Sequence, residues 1–181
     1  ETGPALARRC AEAGAFVAIA HPQWYGLTLP DARTIDAAHA VEIYNHGCQM
    51  ETGRGDGTAI LDLLLAEGRR ITGCAADDAH FRPGAPDHFG GWVMVKAEAN
   101  EPDALLAALK AGDYYSSTGP ELHEIAIEGE TLRVACSPVD GVIAVGQNST
   151  ARAVRGRGIA AAELPLEPFR RHGWLRLVAV D

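Results

Sequence analysis

The residues best placed to do chemistry follow an uncharged run from Ile71 to Ala76, where Asp77, Asp78 and His80 come in quick succession. Asp78 and His80 stand two residues apart. On an extended backbone, residues i and i+2 point to the same face. A hard carboxylate oxygen and an imidazole on one face can close on a single metal ion. The same three residues also suit an ordinary polar loop with an Asx turn. A second junction of this kind lies upstream, where the apolar residues 16–20 run into His21 and Pro22. Proline cannot extend a strand ladder and biases the residue before it toward extended geometry. His21 is thereby held at a strand end, either as a ligand or as a turn residue. A third junction closes residues 40–44 with Asn45, His46 and Gly47. Asn45 and His46 either reach a substrate there or cap the strand. Glu42, a charge within that strand, faces the inside of the sheet near its top or faces solvent.

Three short apolar runs, residues 16–20, 40–44 and 71–76, are the elements that must carry these groups. The mixture of Ile, Thr, Cys, Ala and Gly in the last suits a strand buried on both faces, as in a parallel sheet. Helical spacing fills the intervals. Leu6, Cys10 and Ala13 predict a helix over residues 1–14 that ends at Gly14. Asp31 caps a helix through residues 32–38. Ile60, Leu61, Leu64 and Leu65 line one face of a helix over residues 58–68. Alternating helix and strand predicts βα units and a parallel sheet, whose ligands gather at the C-terminal strand ends. Trp24 and Tyr25 wall such a pocket or cover the strand end. The glycine-rich residues 53–57 match neither a P-loop nor a dinucleotide fingerprint and read as a loop leading into a helix. Residues 81–91 form a Gly/Pro-rich loop at the pocket rim. A strand over residues 91–96, a helix over 102–112 and a strand over 114–118 follow. From Leu122 the pattern changes to strict alternation in residues 123–128, 132–136, 142–145 and 151–154, which predicts a small antiparallel β unit. Arg152, Arg155 and Arg157 in it are solvated charges or phosphate contacts.

Composition narrows the function. A formal charge of -8 over 181 residues argues against nucleic acid, which selects a basic surface, and against docking on anionic lipid. No run approaches the ~18 apolar residues of a membrane span. The four cysteines, Cys10, Cys48, Cys74 and Cys136, include no C-x-x-C pair, so a cysteine zinc site is not expected. Three lie in or beside apolar runs and read as reduced, buried thiols, which points to the cytoplasm.

Taken in order, Ala20-His21-Pro22, then Val41 to Asn45, Leu61 to Gly68, and Asp77-Asp78-Ala79-His80 resemble the PHP (polymerase and histidinol phosphatase) superfamily. More narrowly the chain is similar to the CehA/McbA-like branch, whose Y-x-S-T-G-P segment resembles Tyr114 to Pro120. The resemblance runs from about His21 to the C-terminus. It implies a fold class of α/β, the C-terminal portion of a distorted (βα)7 barrel over residues 1–120, followed by the small antiparallel β unit over residues 121–181. It implies a metal-dependent phosphoesterase with two or three divalent ions at the strand ends. It maps metal ligands onto His21, Asp78 and His80, with Asp78 and His80 catalytic, and gives Glu42 no regular ligand role. The chain departs from the family in one respect. The family opens with H-x-H, and no two of the seven histidines here are two residues apart. The expectation is a fragment of a longer chain whose isolated metal binding is weak, or a degenerate member that has lost its metals.

The implied chemistry is hydrolysis. Anionic oxygens shield the phosphorus of a phosphoester, and bound metal neutralises them while turning water into hydroxide near neutral pH. Imidazole with carboxylate suits Zn²⁺, Mn²⁺ or Fe²⁺ over Mg²⁺ alone. Asp77 reads as orienting a ligand or a following helix. The partner is a small-molecule phosphoester. Two alternatives stand beside it: hydrolysis of a carboxylic or carbamate ester by the same metals, and a non-catalytic module with a remnant metal site.

Overall fold

The computed structural model describes residues 2–181. The chain divides into two compact units, one ending at Thr118 and the other running from Gly119 to Asp181. Among the described residues the fold is mixed α/β, with three separate sheets that do not close into a barrel.

The first unit begins with α1, Gly3–Glu12. Residue 1 of the helix predicted over 1–14 lies outside the described residues. The Thr2 hydroxyl accepts from the Ala5 amide and caps α1. Three parallel strands follow, β1 (Ala18–Ile19), β2 (Ala40–Asn45) and β3 (Thr72–Ala76), in the order β1-β2-β3. The five-residue strand predicted over 16–20 is only two residues long, because Phe16, Val17 and Ala20 lie outside the ladder. Between β1 and β2 lies α2, Leu29–Thr34, earlier and shorter than predicted. Its cap is Thr28 rather than Asp31. Asp31 is the N3 partner that reaches back to the Thr28 amide, completing a capping box.

The chain from β2 to β3 holds two helices where the sequence suggested one. Asn45 caps α3, His46–Thr52, and α4 spans Thr58–Ala66. Leu61 and Leu64 of α4 are buried in a cluster with Ile19, Val41 and Ile71, so the helix covers one face of the sheet. Residues 53–57 are not simply a flexible loop. Gly55 accepts from the Asn45 amide and the Gly57 amide donates to Ile43, so the segment lies along the edge of β2. A side chain at Gly57 would run into the Glu42 carbonyl, and glycine is what allows that approach.

The strands β4 (Trp92–Val95) and β5 (Tyr114–Ser117) flank α5, Pro102–Ala111. They pair antiparallel, so residues 114–118 do not continue the parallel pattern. Side chains tie β5 to β3: Tyr114 meets the Thr72 hydroxyl at 2.6 Å and the Ser116 hydroxyl donates to the Gly73 carbonyl at 3.0 Å.

The second unit is an antiparallel sheet of β6 (Leu122–Glu128), β7 (Thr131–Val145), β8 (Ala151–Pro165) and β9 (Arg176–Val180). Its strands are longer than the alternation suggested. Residues 132–136 and 142–145 belong to one strand, β7. The register shifts around Val139, where a bulge absorbs Pro138 and its missing donor. Along one edge β7 pairs first with β6 and then with β9; along the other it pairs with β8. Leu132, Val134, Val142, Ala144, Leu164 and Phe169 form the buried core of this unit.

Candidate functional site

The site is built at the C-terminal ends of β1, β2 and β3. An extra residue in β2 sets its centre. Glu42 pairs with Cys74 and Tyr44 with Ala75, so Ile43 is a bulge. Bulges redirect neighbouring side chains. Glu42 is not a solvent-facing charge; it is 7% exposed and turned inward near the strand ends. Its Oε2 accepts from the His21 backbone amide and, at 3.0 Å, from the Asn45 side chain. Asn45 is fully buried. Its Nδ2 also donates to Asp78 Oδ2 at 3.2 Å, and its Oδ1 accepts from the Cys48 amide at 2.8 Å. A chain of hydrogen bonds thus runs from the end of β1 through Glu42 and Asn45 to Asp78 beyond β3. Asn45 caps α3 and reaches across to Asp78 with the two ends of one amide.

The backbone at two of the three predicted ligands departs from the expected extended geometry. His21 has φ 26° and Asp78 has φ 52°. A left-handed backbone at a residue other than glycine costs about 1–3 kcal/mol and persists where its surroundings over-determine it. Because β3 ends at Ala76 and Asp78 turns left-handed, the i, i+2 rule does not place Asp78 and His80 on one face. His80 is exposed, and its amide donates to Asp87 Oδ2 at 2.8 Å. His21 is half-buried between Trp24 and Tyr25, whose rings meet it edge-on at 5.4 and 5.5 Å. Its Nδ1 is buried without a hydrogen-bond partner.

No helix follows Asp77, and its carboxylate serves a loop instead. Oδ1 accepts from the Gly90 and Gly91 amides at 2.9 and 2.8 Å, and Oδ2 from the Phe89 amide at 2.6 Å. Burial works to raise the Asp77 pKa, but these three amides outweigh it and hold the carboxyl below the usual range. His46 is the first residue of α3. Its Nδ1 lies 3.1 Å from the Tyr44 hydroxyl, and its ring rests against the Gly90 backbone. Asp87, which is 2% exposed within a mostly exposed loop, carries no signal in the sequence. An isolated aspartate among Gly and Pro carries no periodic signal.

Donor chemistry at the site suits a divalent ion: an unpaired, buried imidazole nitrogen on His21, the Asp78 carboxylate and the His80 imidazole. Their spacing is open. Among the described residues, no three His, Cys, Asp or Glu side chains gather closely enough to hold a metal by themselves. Among the described residues, no helix is long and apolar enough to cross a membrane. No family model, curated protein or solved structure matches the chain.

Proposed function

We propose that the chain carries part of the active site of a metal-dependent hydrolase of phosphoester bonds, with His21, Asp78 and His80 as ligands. The observation that supports this most is the hydrogen-bonded path from His21 to Asp78 through Glu42 and Asn45. It joins three strand ends where open sheets collect ligands. Left-handed backbone at His21 and Asp78 points the same way, because such strain concentrates at functional sites.

Divalent ions, when bound, supply charge neutralisation for the phosphoester oxygens and a hydroxide source near neutral pH. The chain's own residues do the positioning. Glu42 holds the His21 backbone, and Asn45 holds one Asp78 oxygen, leaving the other oxygen to coordinate. Asp77 fixes the 89–91 loop beside Tyr44 and His46, so His46 lines the approach for substrate. The substrate is a small-molecule phosphoester, and the setting is cytoplasmic, in keeping with unpaired cysteines at all four positions.

The open spacing of the three ligands favours a second reading, a non-catalytic module with a remnant metal site. Metal analysis of the purified protein after dialysis, followed by a panel of aryl phosphates and aryl carboxylic or carbamate esters, separates these readings. Bound Zn, Mn or Fe with turnover of aryl phosphates supports the proposal. Turnover of esters alone replaces the substrate class. Neither metal uptake nor turnover from any metal-supplemented preparation leaves the module.

A further inference from the structure

We propose, independently of the hydrolase reading, that the open edge of β6 accepts an extended segment of a partner protein in which apolar and basic residues alternate. β6 pairs with β7 on one side, and among the described residues no strand pairs with it on the other. Its turn into β7 has two residues, Gly129 and Glu130. Around such a turn the closing pair is hydrogen-bonded and the pairs alternate from there, so the amides and carbonyls of Ile125 and Ile127 point to the open edge. An unpaired edge is a template for a further strand. Proteins blunt such edges with proline, lysine or bulges. Residues 124–128 hold none of these, and the one bulge of β6 comes earlier, between Leu122 and Glu124.

Each face of this edge sets what an added strand must carry. On the core face Ile127 lies opposite Leu132 and Ile125 opposite Val134, and the row continues to Leu164 and Ala162 on β8. Those four partners are buried, whereas Ile125 is 52% and Ile127 69% exposed. The apolar row of the sheet thus runs off its edge into water. A strand beside β6 continues the row with apolar residues of its own. On the opposite face Glu124 and Glu128 alternate with Ala126, and Glu163 of β8 stands across from Arg133. Arg133 lies 2.8 Å from Glu128 and 3.0 Å from Glu163. Three carboxylates therefore share one guanidinium, beside Ala126, Ala135 and Ala161 in an open groove of about 410 Å³. The short alanines leave room for long side chains, and the excess negative charge selects lysine or arginine. Side chains of a strand alternate between its faces, so the two demands together call for apolar and basic residues at period two.

The test uses the whole 181-residue chain and, as probe, a capped heptapeptide of alternating valine and lysine at low salt. Affinity is measured by NMR titration, and amide hydrogen exchange is followed residue by residue. The peptide binds with a Kd below about 1 mM, and at saturation the Ile125 and Ile127 amides exchange at least about tenfold more slowly. A peptide with the same valines and lysines in two blocks, and one with glutamate for lysine, bind at least about tenfold more weakly. Ile125→Thr with Ile127→Thr, at exposed positions where threonine keeps strand propensity, lowers affinity about tenfold. Glu124→Gln with Glu128→Gln lowers it about threefold to tenfold. Glu12→Gln with Glu98→Gln removes the same charge elsewhere and changes affinity by less than about twofold. No binding at about 1 mM, or equal binding of the two-block peptide, overturns the proposal. So does binding that leaves exchange at Ile125 and Ile127 unchanged. Sedimentation of the chain alone is the remaining arm: self-association that Ile127→Lys abolishes makes a second copy the occupant and overturns the partner segment.

Discussion

Asn45 and Asp78, on the neighbouring strand ends of β2 and β3, are joined by a 3.2 Å hydrogen bond from the Asn45 side-chain nitrogen to Asp78 Oδ2. The same nitrogen donates to Glu42 at 3.0 Å. One neutral amide therefore stands between two carboxylates and keeps them from meeting as bare like charges.

Replacing Asn45 separates its two duties. Asn45→Ala removes the donor to both carboxylates and the cap on α3, and lowers stability by about 1–3 kcal/mol. Asn45→Asp keeps an acceptor for the Cys48 amide but sets a third carboxylate against Glu42 and Asp78. Its deficit exceeds that of Asn45→Ala in thermal melts at neutral pH, and an equal or smaller deficit contradicts this.

Asp77 and Asp78 are neighbours with different work. On the proposed metal-hydrolase reading, Asp78→Asn lowers Mn²⁺ or Zn²⁺ affinity and hydrolysis by about 100-fold, as loss of an anionic donor should, while melting in chelator stays close to the parent. His80→Ala behaves alike. Asp77→Asn instead loosens the 89–91 loop, costing about 1.5 kcal/mol, the low end for hydrogen bonds to a charged group. Calorimetry and denaturant melts on all three variants check the division. Metal loss in Asp77→Asn with metal retained in Asp78→Asn would reverse the assignment.

Acid stability should report on Asp77. Its folded pKa lies below the ordinary 3.8, held there by the Gly90, Gly91 and Phe89 amides against burial. A depressed carboxyl stabilises the fold above its unfolded pKa and loses that contribution as pH falls through the folded value. Stability therefore declines below about pH 4, and Asp77→Asn shows a shallower decline in melts between pH 5 and 2.

At the other end of the scale, burial pushes the Tyr114 hydroxyl up to about 12, its bond to Thr72 notwithstanding, and the Cys74 thiol up to about 12. Raised acids stabilise the fold below their unfolded values, 10.0 and 9.0, and the gain disappears as pH rises through the folded ones. The protein loses stability between about pH 9 and 12. Tyr114→Phe, melted across that range, loses less than the parent above pH 10; an identical slope would exclude Tyr114 as a source.

The parallel strands were legible because each is a short apolar run that ends abruptly in polar residues, a change of character that composition alone displays. Helix α3 was not. Asn45 reads equally well as the end of a strand or the cap of a helix, and only the Cys48 amide decides between them. The bulge at Ile43 left no mark either, although it is what turns Glu42 inward. Residue type marks His21 and Asp78; their left-handed backbone, which removes an extended geometry, depends on tertiary contacts that spacing does not encode. In the second unit the alternation breaks between residues 136 and 142, which reads as a turn, whereas one strand, β7, runs through it with shifts of register.

The shared edge of β7 has a consequence for the order of assembly. β6 reaches β7 through Gly129 and Glu130, and β7 reaches β8 through the short segment 146–150. Both hairpins close small loops, so their entropic cost is low and they can form on a microsecond scale. β9 must instead return across residues 166–175 and find the half of β7 that β6 leaves open. The pairing predicts that β9 docks after the two hairpins, an order that refolding kinetics would check. Substitutions at Val178 or Ala179 act mainly on the rate of unfolding, while those at Val134 or Ala162 slow folding itself.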